Sequence, residues 1–382
     1  MAEVIERLGA SDFDEAMDVM ATAFRFGAPR DFPMLLPQIY RPTDELMKAI
    51  YAIRREGRIV SAVGVHPREW QVGDTTLKLA GIGGVCTLSD YRGQGLMRAL
   101  MERCVADMRS EGIHLSWLGG ERQRYAYHGY EKCGNVCQYS LRRANFRHAE
   151  LEAKAIRFEP MGKHYASRLA VAKSYHEAKP IHVRRSQDEF VLYLLSGYSE
   201  PWFALNAGDE VIGYLVTTPG RDHVREVAAR DVETSLDMLV AWSDKTDDDV
   251  HLSVQPDDIT LSRAVGAIAE RVSVNGSGNW QVYDWETTLT ALLTVLHEGS
   301  GMIEGSVVIG IDGDGYELTV DGQDVRCIRT SLDPALTTTW QEAHRLLFGP
   351  GLASTVLEIP DAAKLLEAWT PLPLGFMRAD SV

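Results

Sequence analysis

Arg92-Gly93-Gln94-Gly95-Leu96-Met97 stands between a glycine-rich apolar run and an amphipathic stretch, and its reading decides the fold. Upstream, Leu77, Leu79, Gly81 and Gly83 lead into Val85-Cys86-Thr87-Leu88, a strand-like pattern. Downstream, Met97, Leu100, Met101, Cys104, Val105 and Met108 recur at three- and four-residue spacing, which puts them on one face of a helix. Where strand becomes helix, unpaired backbone N–H groups and the positive end of the helix dipole favour a pyrophosphate. Gly93 and Gly95 let the backbone approach the phosphates with no Cβ in the way. Arg92 adds a permanent charge able to grip one. No Gly-Lys-Ser/Thr follows, which excludes an ATP-type loop, and Arg98 stands where a dinucleotide fingerprint has its third glycine. The competing reading of the hexapeptide is a basic surface turn.

The hexapeptide resembles motif A of the GNAT superfamily of acyl-CoA N-acyltransferases, Arg/Gln-x-x-Gly-x-Gly/Ala. Met97 departs from it, and a bulky residue there resembles the Eis (enhanced intracellular survival) branch. Tyr125-Ala126-Tyr127-His128-Gly129-Tyr130 is similar to the Tyr-x-x-x-Gly-Phe/Tyr segment of the same fold and follows in order. The resemblance implies an α/β fold for the first 145 or so residues, with acetyl-CoA as cosubstrate.

The bulk properties are compatible with this. A chain of 382 residues has room for two or three domains, and 45% apolar with 24% charged residues is an ordinary globular balance. No apolar stretch is long enough for a membrane span, and Met1-Ala2-Glu3-Val4 lacks the features of a secretory signal. Five unpaired cysteines, Cys86, Cys104, Cys133, Cys137 and Cys327, read as reduced thiols in a cytoplasm rather than a disulfide or metal framework, so no metal is expected. A net charge of −15 argues against a nucleic-acid partner and is compatible with a cationic acceptor. Residues 286–382 hold 14 acidic against 5 basic residues, so most of the excess lies there.

Three segments are expected. Residues 1–150 read as one α/β unit, with strands near Tyr51–Arg54, Ile59–His66, Thr76–Leu88 and His114–Leu118, and a last pair near Tyr130–Cys133 and Val136–Leu141. Residues 151–285 repeat this order, with helices over Val232–Trp242 and Ile259–Val272. Where motif A should recur stands Ala229-Arg230-Asp231-Val232, without glycine and with an aspartate that repels phosphate. This segment reads as a degenerate second GNAT domain. Residues 286–382 alternate strictly in Gly305–Ile311 and Tyr316–Val320 about an Asp-Gly turn, a hairpin signal followed by helices, and so an α+β unit. The order resembles the sterol-carrier-protein-like domain that ends Eis-type chains. The aspartates at 312, 314 and 321 fit a hairpin better than a calcium loop, whose twelfth position would be Gln323.

The resemblance assigns roles residue by residue. Val85, Cys86 and Thr87 would hold the pantetheine arm through backbone groups left free where strand pairing ends, and one N–H would polarise the thioester carbonyl. Arg92 to Met97 (Arg92, Gly93, Gln94, Gly95, Leu96, Met97) would bind the pyrophosphate, with Gly120 and Glu121 beside the coenzyme. Tyr125 is the candidate general acid. Its phenol, near pKa 10, faces a thiolate whose acid is near 8.5, an uphill transfer of roughly 2 kcal/mol, so it acts first as a hydrogen-bond donor. In Eis-type enzymes an aromatic terminal residue supplies its carboxylate as base. This chain reads Arg378-Ala379-Asp380-Ser381-Val382, leaving Val382 as a candidate beside Glu121, His66 and water. Phe24, Phe26, Asp31, Phe32 and Trp117 lie on segments that line the acceptor side of this fold, and aromatics with a carboxylate suit an amphipathic amine. The expected function is acetyl-CoA-dependent N-acetyl transfer to a primary amine of aminoglycoside-like or lysine type, in a homo-oligomer, hexameric by resemblance. The alternative is an acyl-CoA or apolar-ligand binding or sensor protein without turnover.

Overall fold

The computed structural model describes residues 3–25, 31–162, 165–322 and 324–382. After β1 (Glu6–Arg7) come α1 (Phe13–Phe24), α2 (Asp31–Leu35) and α3 (Asp44–Met47), then β2 (Ile50–Arg55), β3 (Arg58–Val72) and β4 (Thr75–Thr87). The motif opens α4 (Leu96–Ser110), followed by β5 (Leu115–Leu118), α5 (Arg122–Ala126), β6 (Glu131–Cys133) and β7 (Val136–Leu141). The middle of the chain supplies β8 (Arg157–Pro160), β9 (Ile181–Val183), β10 (Glu200–Leu205), β11 (Val211–Thr217), β12 (His223–Ala229), β13 (Val250–Val254), β14 (Arg271–Asn275) and β15 (Gly278–Val282). Last come β16 (Gly305–Ile311), β17 (Asp314–Asp321), β18 (Asp324–Thr330) and β19 (Leu336–Thr338).

Two of the three sheets share one plan. The first runs β1-β2-β3-β4-β5-β15-β6, with β9 added beside β3, and the second runs β8-β10-β11-β12-β13-β7-β14. In each, one neighbouring pair is parallel, β4 with β5 and β12 with β13, and the others along the path are antiparallel. The two sheets exchange a strand: β7 completes the second and β15, from much later in the chain, completes the first. The last two strands expected in the first unit, near Tyr130–Cys133 and Val136–Leu141, both form, but in different sheets: β6 pairs with β15 while β7 pairs with β13 and β14. The helix expected to run to Val272 stops at Gly266, and Arg271–Asn275 is strand.

The hairpin of residues 305–321 forms as read, its strands closing at Ile311 and Asp314. It belongs to a four-stranded sheet, β18-β17-β16-β19. Helices Trp285–Ser300 and Trp340–Phe348 join this sheet to the first one through a single apolar core that runs from Trp70, Leu79 and Trp280 to Leu292, Leu318 and Phe348. Among the described residues no helix is long and apolar enough to cross a membrane.

The last dozen residues return from this unit towards the first two sheets. Leu374 accepts a hydrogen bond from the Asn135 amide at 2.7 Å, and the Ser381 carbonyl accepts one from Gln38 at 3.1 Å. A buried arginine fixes the segment: Arg185 donates to both oxygens of Asp380 at 2.8 and 2.9 Å and to both of Glu226 at 3.1 and 3.2 Å. Burial opposes charge on Glu226, but Arg185 beside it holds the carboxyl well below the usual range.

Candidate active site

The parallel pairing of β4 with β5 stops at Ile82 and Leu118, while β4 continues to Thr87. From Gly83 onward that edge of β4 therefore has no strand neighbour on the β5 side. Its register with β3 also shifts between Ala62 and Gly64, and Gly84 turns into the left-handed region at φ +61°. A bulge of this kind re-aims backbone groups at a sheet's edge.

The loop after β4 completes a cavity of about 440 Å³. Gly93 and Gly95 take φ of +77° and +81°, with open space where side chains would be, and Gly95 caps α4 without a side-chain hydrogen bond. The first amides of a fifteen-residue helix are thereby left for a ligand. Of the expected coenzyme residues, Val85, Cys86, Thr87, Arg92, Gly93, Gly95, Leu96 and Met97 line the cavity, whereas Gln94, Gly120 and Glu121 do not. Arg98 and Arg124 line it too, and among the described residues no carboxylate does. Sequence reading missed both arginines, although one follows the hexapeptide by a residue and the other precedes Tyr125. At the matching junction of the second sheet, Asp231 caps helix Val232–Thr246 by accepting from the Thr234 amide at 2.7 Å. The chain's own carboxylate occupies the helix start there.

Cys86 is buried, which pushes its thiol up to about 12. That disfavours a Cys86 thiolate near neutrality, and with it a covalent acyl-cysteine.

Tyr125 is buried on α5, against the backbone of Gly120, where a Cβ would meet its ring at 2.9 Å. Burial raises its phenol above the ordinary value, partly offset by the Arg124 guanidinium. The phenol thus stays protonated, and Tyr125 itself is not among the residues that line the cavity. Glu121 is exposed and paired with Arg124 at 3.2 Å.

Val382 packs on the sheet face opposite two missing side chains. A Cβ on Gly83 would lie 2.6 Å from its main-chain carbonyl carbon, and one on Gly81 would lie 2.6 Å from a side-chain methyl. Gly81 pairs with His66 and Gly83 with Gly64, over which the His66 Nε2 is stacked. His66 is buried, which takes its pKa down to about 3. It is a neutral imidazole and a weak base. Its Nε2 and the Tyr40 hydroxyl are buried without a hydrogen-bond partner among the described residues.

The expected acceptor residues divide. Phe24 stands in the wall of the 440 Å³ cavity. It contacts Phe32 edge to face, and a row of such contacts runs on through Tyr40 to His66, with ring centroids 5.3, 5.4 and 5.9 Å apart. Phe32 is core, and the Asp31 carbonyl accepts from the Tyr198 hydroxyl at 3.4 Å. Trp117 lies elsewhere, on β5, its ring tilted against Phe376 with centroids 4.8 Å apart, and lines a second cavity of about 390 Å³. Phe26 lies outside the described residues.

Comparison with known proteins settles what the first domain is. The acetyltransferase (GNAT) domain family matches residues 4–135, a span that takes in the open β4 edge, the glycine loop and Tyr125. Residues 4–135 are a GNAT acetyltransferase domain. The chain is accordingly an N-acetyltransferase. No curated protein sequence matches it. Among solved structures, a GCN5-related N-acetyltransferase from Kribbella flavida is similar in fold, with a TM-score of 0.70 and 18% identity over 99% of this chain and 100% of that one. A probable N-acyltransferase from Enterococcus faecalis gives 0.68 and 15% over 99% and 98%. Eis1 from Mycobacterium abscessus gives 0.66 and 14% over 99% and 100%. At these identities the likeness is one of fold, and it spans nearly the whole chain.

Proposed function

We propose that this GNAT enzyme transfers acetyl from acetyl-CoA directly to a primary amine, with Tyr125 as acid and the Val382 carboxylate as base. One observation carries the reading: an unpaired strand edge and an uncapped helix start open into a cavity that, among the described residues, holds three arginines and no carboxylate. Such a cavity fits a donor with a pantetheine arm and a diphosphate. The arm would lie along Val85–Thr87 as a substitute strand, the diphosphate on the amides after Gly93 and Gly95, and Arg92, Arg98 and Arg124 would meet phosphate charge.

The amine must be neutral to attack. Its lone pair forms the C–N bond, the C–S bond breaks, and the nitrogen gives up one proton while the leaving sulfur takes one up. Val382 is suited to receive the first by its position over Gly81 and Gly83, whereas Glu121 is turned to Arg124. Tyr125 would donate a hydrogen bond to the leaving thiolate and pass its proton only as the charge matures. On the same reading, residues 1–150 hold the catalytic domain, 151–285 a second GNAT-like repeat without a coenzyme site, and 286–382 a sterol-carrier-protein-like unit.

The decisive experiment is a thiol-release assay with acetyl-CoA and a panel of amines, beside calorimetric titration of coenzyme A. Tyr125→Phe should cut kcat roughly 100-fold while leaving coenzyme affinity alone. Unchanged turnover in saturating acetyl-CoA removes Tyr125 from the chemistry. Failure to bind coenzyme A at millimolar concentration removes the whole reading.

A further inference from the structure

The cavity beside the Val382 segment bears a charge the overall balance does not lead one to expect. Its volume is about 390 Å³, and its wall includes Trp117, His223, Arg225, Gln255, Arg378 and Ser381. Among the described residues none that lines it is acidic, in a chain of net charge −15. Two guanidiniums share one corner. A Cβ on Gly197 would lie 3.1 Å from Arg225 Nη1 and 3.5 Å from Arg378 Nε. Arg225 is half-buried and its Nη1 is held by the Gly197 carbonyl at 2.8 Å and the Ser199 hydroxyl at 2.7 Å, both neutral acceptors. Neither arginine forms an ion pair among the described residues. The nearby tail carboxylate, Asp380, is taken by Arg185. Burial, and then the charge of Arg378, disfavour the cation on Arg225. An oxyanion in the corner would relieve that repulsion with charge-assisted hydrogen bonds.

The cavity also adjoins the reacting centre. Ser381 lines it and Val382, the next residue, packs on Gly81 and Gly83. Trp117 lines it and pairs with Gly81 across the sheet.

We propose that this cavity binds an oxyanion of the acceptor, so that the preferred substrate is an amine carrying a carboxylate or phosphate rather than a polycationic aminoglycoside-like amine. This rests on the acetyl-transfer reading above. The amine would sit towards Val382, and the anionic end between Arg225 and Arg378.

The test has a kinetic and a binding arm, on the full chain. Acetylation is compared for matched amines: lysine against lysine amide and cadaverine, phosphoethanolamine against ethanolamine, and an aminoglycoside. The anionic member of a pair should lead by roughly 10- to 100-fold in kcat/KM. Arg378→Gln and Arg225→Gln should each erase about tenfold of that lead with the KM for acetyl-CoA unchanged. The pair with the larger lead tells carboxylate from phosphate. For binding, glutarate and inorganic phosphate are titrated into protein saturated with coenzyme A, which keeps the donor cradle filled. Binding of either, weakened about tenfold by Arg378→Gln, supports the site even if no amine in the panel turns over. Equal use of neutral and anionic amines, or anion binding indifferent to both substitutions, overturns it.

Discussion

Replacing Arg185 by methionine is expected to cost about 3–5 kcal/mol of stability, because it strands two buried carboxylates. Arg185, Glu226 and Asp380 are exposed by only 1%, 2% and 1%, and they come from the middle segment, from β12 and from the tail. The guanidinium meets each carboxylate with two hydrogen bonds, a geometry only arginine supplies. Without it Asp380 loses both bonds from the guanidinium and Glu226 keeps the one the Tyr214 hydroxyl donates, in an interior that cannot hydrate either carboxylate. The triple change Arg185→Met, Glu226→Gln, Asp380→Asn should recover much of the loss, since replacing a whole buried ion cluster by neutral groups is often close to neutral. Activity should behave differently. Asp380 stands two residues before Val382, so turnover should fall in both variants while coenzyme binding stays. Urea unfolding measures the first effect, and limited proteolysis of residues 371–382 reports the freed tail. The acid limb supplies a sign check. Glu226 has a depressed pKa in the fold, so its contribution is present above the unfolded carboxyl value near 4.3 and is lost as pH falls towards the folded one. The triple variant should show a flatter acid limb than the parent. An unchanged urea midpoint in Arg185→Met would show that the clamp contributes nothing.

The glycine loop, helix α4, the 305–321 hairpin and the blocked second junction were legible because each depends on local pattern. Positive φ at Gly93 and Gly95 and the cap made by Asp231 are decisions of one or two residues. The strand exchange was not legible. Gly134-Asn135 between two short apolar runs looks like a hairpin turn, yet Gly134 is crowded by Ser277, Trp280 and the Leu374 carbonyl, all more than a hundred residues later. Which strand an edge chooses is a tertiary choice that alternation alone cannot encode. The early end assigned to the strand at His66 had a local remedy. Trp70 and Val72 continue the alternation and are both buried. The cavity arginines were missed for another reason: the hexapeptide concentrates attention on its own six residues, while Arg98 and Arg124 reach the same space from the next helical positions. The basic cavity beside Val382 draws on strands of both sheets and on the tail, so no single stretch of sequence announces it.

Gly83→Ala should reduce kcat at least 100-fold while Gly81→Ala has a much smaller effect, although the two positions lie on one strand and face the same residue. Both glycines have φ outside the left-handed region, so alanine brings no backbone strain at either. What differs is the neighbour. At Gly83 the new methyl would lie 2.6 Å from the carbonyl carbon of Val382 and 3.0 Å from its carbonyl oxygen. Those atoms belong to backbone anchored by Gln38 on Ser381 and by Arg185 on Asp380, so the group proposed above as the base must move as a unit. At Gly81 the contact is with side-chain methyls of Val382, at 2.6 and 3.0 Å, which can turn about one bond. A displacement of about 1 Å in a catalytic group costs on the order of 100-fold in rate, and loss of a general base 100- to 10,000-fold. Coenzyme affinity should be unaltered in both variants, because the β4 amides that would hold the pantetheine arm begin two residues later. Adding a single glycine after Val382 should match Gly83→Ala in kcat, since it converts the carboxylate to an amide without touching the sheet. Should that extended chain turn over at the parental rate, the base lies elsewhere, and a water held by His66 and Tyr40 becomes the candidate to pursue.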